Sequence, residues 1–205
     1  MLRLLFALLL GLTLAGNPAM ATPEPSFTVR LAEGDFALRD YPALVVAEVS
    51  VMGDRSSAAS QGFRLLAGYI FGGNTRKASI AMTAPVIQER GNSAMIAMTA
   101  PVLQSGAGNT WTVRFVMPEG STLENLPKPN SAKVRLHAQP PTRMAVVRFN
   151  GLVWPSTIAA KTTALKGFIR SHHLKTIGAP SLAQYNPPWT LWFMRRNEVM
   201  IPVAL

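Results

Sequence analysis

Few side chains of this sequence are spaced in a way that could support catalysis. The 205 residues include no cysteine, three histidines and ten acids. His172 and His173 are adjacent, and neighbours on a helix diverge by about 100°, so the two cannot bind one metal ion together. The sequence contains no nucleophile elbow, HExxH zinc motif, CxxC pair or phosphate-binding loop. It therefore does not indicate the common hydrolase, metalloprotease, thiol-redox or nucleotide-dependent classes.

The segment "RRNEV" near the C-terminus carries the charged residues that are most suggestive of a site. In a strand, alternate residues share a face, so we expect Arg196 and Glu198 to pair. That arrangement would leave Arg195 for a ligand carboxylate. Elsewhere, Glu48 is the acid that the pattern places inside the molecule, and a buried acid in a cavity would favour an enzyme.

The N-terminal residues have the pattern of an export signal. Arg3 precedes an apolar run over 4–14, and Ala19-Met20-Ala21 offers the small residues that a signal peptidase recognises. The run is too short for a membrane anchor. We expect residues 1–21 to be a cleaved signal peptide and 22–205 to form one domain, periplasmic or secreted, with no membrane span.

The net charge is +10, and the basic residues are scattered along the chain. Nucleic acid is not an expected partner outside the cytoplasm. The charge therefore favours solubility and anionic small ligands.

Hydrophobic periodicity predicts two similar runs of elements. Period-two segments indicate strands, and segments with a period of 3.6 residues indicate helices. The predicted strands are 36–51, with a bend at Pro42, then 111–118, 132–139, 143–151 and two more around 181–186 and 190–203. The predicted helices are 53–73, capped by Asp54 or Ser56, and 155–174, capped by Ser156 or Thr157. This order predicts an α+β chain with a mostly antiparallel sheet.

The heptapeptide "IAMTAPV" occurs twice, at 80–86 and 96–102. Both copies alternate with period two, and Gly91-Asn92 between them is typical of a turn. We expect a hairpin in which Thr83 faces Thr99. The motif carries no catalytic or metal-binding chemistry.

Five segments in order resemble the SOUL haem-binding protein family in its bacterial form. They are "GGNTRKASIAMTAPV", the second "IAMTAPV", "FVMPEGSTLENLPKPN", "VVRFNG" and "YNPPWTLWFMRRNEV". The resemblance covers about residues 27–203. It implies a distorted, mostly antiparallel β-barrel of two similar halves, flanked by two α-helices. It also implies that a tetrapyrrole lies in a shallow apolar groove beside the first helix.

The residues of that helix offer a matching face. Phe63, Leu66, Ala67 and Ile70 form its expected core stripe. Gln61, Leu65, Gly68 and Tyr69 lie on another side, with Arg64 beside them. A flat apolar strip next to a base suits a planar ring with carboxylates, although packing against a loop or the final strands explains the strip equally well. Tyr185 resembles a groove-lining position of the family, or is a turn tyrosine.

These observations favour a non-catalytic, monomeric binding protein for haem or another planar anionic molecule, with no residue assigned as a metal ligand. One alternative is a hydrolase or isomerase that acts on a small amphipathic molecule in the related effector-binding fold. Another is a module that binds a periplasmic partner.

Overall fold

The computed structural model describes residues 23–90, 109–186 and 189–205. The predicted signal segment and the second heptapeptide lie outside the described residues. No helix of the described ranges is long and apolar enough to cross a membrane.

The described strands form one antiparallel sheet with two helices, which confirms the predicted α+β class. The helices are α1 (Arg55–Ile70) and α2 (Pro155–Ser171), and a 3-10 turn spans Trp192–Met194. The strands are β1 (Thr28–Glu33), β2 (Phe36–Tyr41), β3 (Leu44–Met52), β4 (Val86–Arg90), β5 (Thr110–Val116), β6 (Arg135–Gln139), β7 (Thr142–Asn150), β8 (Ser181–Gln184) and β9 (Arg196–Val203).

The sheet order shows two similar halves. It runs β1-β2-β7-β9-β8-β4-β5-β3-β6, so β2-β7-β9-β8 on one side of the centre corresponds to β6-β3-β5-β4 on the other. The halves exchange their first strands, because β2 precedes β3 in the chain but pairs with β7, and β6 precedes β7 but pairs with β3. Two similar halves, as the resemblance implies, are therefore confirmed.

Both faces of the sheet are covered. On the outer face, α1 packs on β3 and β5, and α2 packs on β7 and β9. The alternate residues of these strands point to the opposite, inner face of the sheet, and there too Val46 and Val146 are fully buried. The curled sheet therefore covers its own inner face, which makes that face the natural place for an internal cavity.

Helix α1 begins where the sequence predicts. Asp54 is the N-cap, and its carboxylate accepts hydrogen bonds from the backbone N–H groups of Ser56 and Ser57 at 2.9 and 3.0 Å. The predicted core stripe is only partly correct. Leu66 is buried, whereas Phe63 is 38% exposed and contacts the ring of Phe115 in an edge-to-face arrangement.

The first heptapeptide does not form the predicted strand, since only Val86 belongs to β4. The backbone N–H of Ile80 donates to the carbonyl of Ile70, and that of Ala84 donates to the carbonyl of Pro23. Pro85 has no N–H to donate. These two backbone donors are therefore used by the end of α1 and by the N-terminal segment. Thr99 lies outside the described residues, so the predicted Thr83–Thr99 pair stays a prediction.

Two other boundaries differ from the prediction. The expected single strand over 36–51 is divided at Pro42 into β2 and β3, which pair with different halves. Trp154, and not Ser156 or Thr157, is the N-cap of α2, because Pro155 occupies its first turn, where a missing N–H costs nothing.

Candidate functional site

Three of the predicted groove residues lie on the exposed side of α1. Gln61, Arg64 and Gly68 all face away from the sheet. A Cβ atom added at Gly68 would meet nothing within 4 Å. Leu65 is half-buried and packs against the core. This face is thus a mostly polar helix surface.

Tyr69 is a core residue, although helical spacing places it outside the expected core stripe, and it packs against a loop, one of the two explanations of this strip. Its side chain is only 2% exposed, and its hydroxyl donates to the carbonyl of Pro127 at 2.9 Å. Burial raises the pKa of this phenol. The loop that contains Pro127 covers the end of α1, and helical periodicity alone cannot reveal such a loop.

Tyr185 and Arg195 lie on other parts of the fold. Tyr185 follows β8 and packs with the inner-face cluster. Arg195 precedes β9, and its Nε donates to the carbonyl of Thr190 at 2.8 Å. The predicted site residues are therefore divided between the outer side of α1, the inner face of the sheet and the β8–β9 connection.

The inner face contains a fully buried carboxylate, Glu198, with 0% exposure. Arg39 donates to both of its oxygens, at 2.9 and 3.2 Å, and Arg196 donates to Oε1 at 3.0 and 3.3 Å. The Tyr185 hydroxyl donates to Oε2 at 2.6 Å. Burial alone would raise the pKa of Glu198, but the hydrogen bonds from Tyr185, Arg39 and Arg196 lower it below its usual range.

The Arg196–Glu198 pair predicted from strand periodicity is confirmed. Arg39, the other partner, was missed. It is 159 residues away in the chain, and no local pattern links it to Glu198.

The other half of the sheet carries a related charged cluster with the signs reversed, in which one arginine lies between two acids. Arg114 donates to Glu48 at 2.6 Å and to Glu89 at 2.7 Å. In the strand register, Glu48 of β3 lies opposite Arg114 of β5, and in the same way Arg148 of β7 lies opposite Glu198 of β9. Arg114 and Glu198 thus occupy corresponding positions in the two halves. Glu48 is a partnered acid at 15% side-chain exposure, and the fully buried acid is Glu198.

A small inner cavity of about 30 Å³, with room for about one or two water molecules, lies between the two halves. Its walls are mainly apolar and include Tyr41, Leu44, Ile87, Met144, Tyr185 and Met200. The two phenol oxygens are both engaged, Tyr185 with Glu198 and Tyr41 with Arg39 at 3.5 Å. The cavity therefore offers little space and little free hydrogen-bonding capacity.

A second feature is a large exposed apolar surface around the β8–β9 connection, which we call the aromatic surface. Each of its side chains is between 37% and 83% exposed. Its members are Leu152, Trp154, Trp189, Leu191, Trp192, Phe193 and Met194. Trp192 and Phe193 contact each other edge to face, with ring centroids 5.6 Å apart.

One backbone and one side-chain hydrogen bond hold the two segments of the aromatic surface together. The N–H of Gly151 donates to the carbonyl of Arg195 at 3.0 Å, and buried Asn197 donates through Nδ2 to the carbonyl of Gly151 at 2.9 Å. At its margin, Arg55 at the start of α1 donates to the carbonyl of Val153 at 2.5 Å. The base of this surface is therefore fixed, while its side chains face solvent.

The histidines do not converge on a site. His172 contacts Glu33 at 3.3 Å and packs on Phe168, and His137 lies in β6. Among the described residues, no group of three or more histidines and acids could hold a metal ion.

A sequence profile of the SOUL heme-binding protein family matches residues 22–202 of the chain. No curated protein is similar enough to count as a match.

Solved structures share the fold at low sequence identity. The C-terminal domain of EcmrR aligns with a TM-score of 0.57 and 12% identity, over 82% of this chain and 96% of that one. A hydrolase from Listeria innocua aligns with a TM-score of 0.54 and 13% identity, over 85% and 94%. A conserved protein of the same species aligns with a TM-score of 0.54 and 11% identity, over 90% and 94%. At these identities the similarity is one of fold alone.

Proposed function

The chain belongs to the SOUL heme-binding protein family, and from this premise we propose that it binds haem or a related tetrapyrrole on the aromatic surface without transforming it. The observation that carries the proposal is the exposure of Trp192 and Phe193, at 58% and 53%, beside further apolar side chains. A flat macrocycle of mixed apolar and carboxylate character matches such a surface, because aromatic rings stack on it and water is released from both partners.

This location differs from the groove beside α1 that the family resemblance implies. The exposed face of α1 carries Gln61, Arg64 and Gly68 and offers little apolar area apart from half-buried Leu65. The aromatic surface offers seven large apolar side chains in two adjoining segments. Apolar contact area favours the second location.

A haem titration of two variants separates the locations. Trp192→Ser combined with Phe193→Ser should weaken haem binding roughly tenfold or more, since each lost ring contact contributes on the order of 1 kcal/mol. Gly68→Trp should bind like the wild type, because its side chain would extend from the outer side of α1 into open space. The measurement is Soret absorbance, with thermal melts as the folding control. Wild-type affinity in the double variant together with weak binding in Gly68→Trp would return the site to α1.

The environment of Glu198 supports a non-catalytic role. A general base needs a free lone pair directed at the substrate. Three guanidinium N–H groups bond Oε1, while Arg39 and the Tyr185 hydroxyl bond Oε2. Both oxygens are thus fully used, and the lowered pKa keeps the group ionised, which also makes it a poor general acid.

Hydrolysis of a small apolar molecule in the inner cavity is the second candidate function. The observation in its favour is that Tyr185, whose hydroxyl donates to Glu198, lines that cavity, which a substrate would have to widen from about 30 Å³. A structure with the same fold is described as a hydrolase, at 13% identity. Turnover of ester substrates that is lost in Tyr185→Phe would favour this function over tetrapyrrole binding.

We also propose that the protein acts outside the cytoplasm after cleavage following Ala21, as its N-terminal sequence indicates. Mass spectrometry of the protein from the extracytoplasmic fraction of its host should find Thr22 as the first residue. Recovery of the intact N-terminus beginning at Met1 from that fraction would contradict the cleavage.

A further inference from the structure

Residues 23–27, which we call the strap, lie over the inner face of the sheet just before β1. The backbone N–H of Ala84 donates to the carbonyl of Pro23 at 2.9 Å, and Phe27 packs with the inner-face cluster. Pro25 lies in the wall of the small inner cavity. The strap therefore covers the inner face without being a strand of the sheet.

The strap separates the inner cavity from a much larger open groove. The groove holds about 950 Å³, and the strap contributes Glu24 and Phe27 to its wall. Pro25, from the same strap, lines the inner cavity of about 30 Å³. Because both spaces share the strap as a wall, lifting it would join them and open the inner face to a molecule much larger than water.

The charges beneath the strap are not balanced without it. Arg39 and Arg196 both donate to the buried Glu198, so two positive charges face one negative charge. Glu24 supplies a further negative charge, since its carboxylate accepts from Nη1 of Arg196 at 2.8 Å. Cations that are withdrawn from water are stabilised by a counter-charge. The position of the Glu24 carboxylate therefore favours an anion, whether it comes from the strap or from a ligand.

The strap also places an aromatic ring on the other guanidinium. The guanidinium carbon of Arg39 lies 4.5 Å from the centroid of the Phe27 ring, and the ring centroids of Phe27 and Tyr41 are 5.3 Å apart. A cation held against the face of a ring is a favourable contact. The Nε of Arg39 is buried and has no hydrogen-bond partner among the described residues, so one donor of this group stays unused beneath the strap.

The contacts of the strap are of a kind that a ligand can replace. The Glu24 side chain is 34% exposed, and exposed ion pairs contribute little stability because water and salt compete with them. Pro23 and Pro25 have no N–H to donate, and within the described ranges the strap has one backbone hydrogen bond, from Ala84. The strap is thus attached mainly by one carboxylate and one ring.

We propose that the strap blocks a second binding site on the inner face, and that the ligand of this site is an aromatic carboxylate. The ligand carboxylate would replace that of Glu24 on Arg196, and the ligand ring would replace that of Phe27 on Arg39 and Tyr41. The strap is an intramolecular competitor, so the apparent affinity of the ligand is reduced by the fraction of molecules in which the strap is closed. The site uses none of the side chains of the aromatic surface.

Calorimetric titration with hydrocinnamate tests the proposal, because this probe carries one phenyl ring and one carboxylate. Glu24→Gln removes the charge of the strap and should bind the probe roughly fivefold more tightly than the wild type, since the competitor is weakened. The matched control is Glu33→Gln, which removes an exposed acid of β1 outside the strap and should bind like the wild type. Thermal melts of each variant are the folding control.

Two analogues of the probe separate the contributions of charge and ring. Hydrocinnamide lacks the negative charge, and cyclohexanepropionate keeps the charge but lacks the aromatic ring. Both should bind to Glu24→Gln more weakly than hydrocinnamate, because one loses the ion pair with Arg196 and the other loses the ring contact with Arg39.

Hydrogen exchange at one amide reports whether the strap moves. The N–H of Ala84 donates to Pro23 of the strap, so saturating hydrocinnamate should accelerate its exchange several-fold, as measured by NMR. The matched control is the N–H of Ile80, which donates to the carbonyl of Ile70 and should exchange at an unchanged rate. A strap that only packs on the sheet would show no ligand-dependent change at Ala84.

Four outcomes would overturn the proposal. The first three are no saturable binding of hydrocinnamate by Glu24→Gln, equal affinity of this variant and the wild type, and unchanged exchange at Ala84 with the probe bound. The fourth is loss of probe binding in the Trp192→Ser, Phe193→Ser double variant, which would place the probe on the aromatic surface. These measurements need no haem, so a failure of the tetrapyrrole proposal would not affect them.

Discussion

Replacing Glu198 with alanine should lower the free energy of unfolding by about 3–5 kcal/mol, the usual cost of removing one partner from a buried ion pair. Arg39 would keep its charge on the inner face without its carboxylate partner, while Arg196 would retain its salt bridge with Glu24 at 2.8 Å. The Tyr185 hydroxyl would also lose its acceptor. Urea unfolding followed by circular dichroism measures the change.

The related cluster in the other half provides the matched control. Glu48→Ala should cost less, about 1–2 kcal/mol, because Arg114 keeps Glu89 as a partner and the site is partly solvated. If Glu198→Ala does not fold, Glu198→Gln keeps the shape and still accepts hydrogen bonds, and it should fold with a smaller loss. Equal and small losses for Glu198→Ala and Glu48→Ala would mean that the buried cluster does not stabilise the fold.

Alkaline pH should unfold this protein over a narrow range. Its three tyrosines, Tyr41, Tyr69 and Tyr185, are all buried or partly buried, and burial raises the pKa of each phenol above its ordinary value of 10.0. The pKa of Tyr185 is raised further by the adjacent charge of Glu198, to which the Tyr185 hydroxyl donates a hydrogen bond. An ionised Tyr185 would place two negative charges in contact.

The direction of the pH effect follows from these raised values. Below pH 10 the phenols are protonated in both the folded and unfolded states, so they do not make stability depend on pH. Above pH 10, and below the pKa values of the folded state, only the unfolded chain releases its phenol protons. The free energy of unfolding should therefore fall by about 1.4 kcal/mol per pH unit for each tyrosine, or roughly 4 kcal/mol per unit for all three, until the folded-state pKa values are reached.

Tyrosinate absorbance and circular dichroism, followed together, test this expectation. Tyrosinate should appear in step with the loss of structure, and Tyr185→Phe should reduce the slope of stability against pH by about a third, because one of the three groups no longer titrates. Gradual ionisation of all three phenols in a protein that keeps its circular dichroism would contradict the burial of these side chains.

The elements that could be predicted from the sequence depend on contacts between near neighbours. The Asp54 carboxylate accepts hydrogen bonds from the N–H groups two and three residues ahead, so a short stretch of sequence is enough to predict the start of α1. The face of β5 that carries Val113 and Phe115 follows from the two-residue repeat of a strand. The Arg196–Glu198 pair is found by the same rule, because residues two apart share a face.

The site could not be predicted in this way. Three signals misled: the alternation of the first heptapeptide, the helical position of Tyr69 and the apparent burial of Glu48. In each case the outcome depends on a distant segment, namely Pro23 for the heptapeptide, Pro127 for Tyr69 and Arg114 for Glu48. The exposure of Trp192 and Phe193 could not be predicted either, because an apolar run has the same sequence pattern whether or not other residues cover it.

The sequence by itself determined the helices, most of the strands, the α+β class and, through its resemblance to a family, the expected ligand. Only the tertiary structure decided that Arg39 meets Glu198 and that the aromatic surface faces solvent. The physical reason is that β2 crosses to pair with β7 in the opposite half. Periodicity specifies which face of a strand is apolar, but it carries no information on which strand lies beside it, and that neighbour determines the partner of each inward-facing charge.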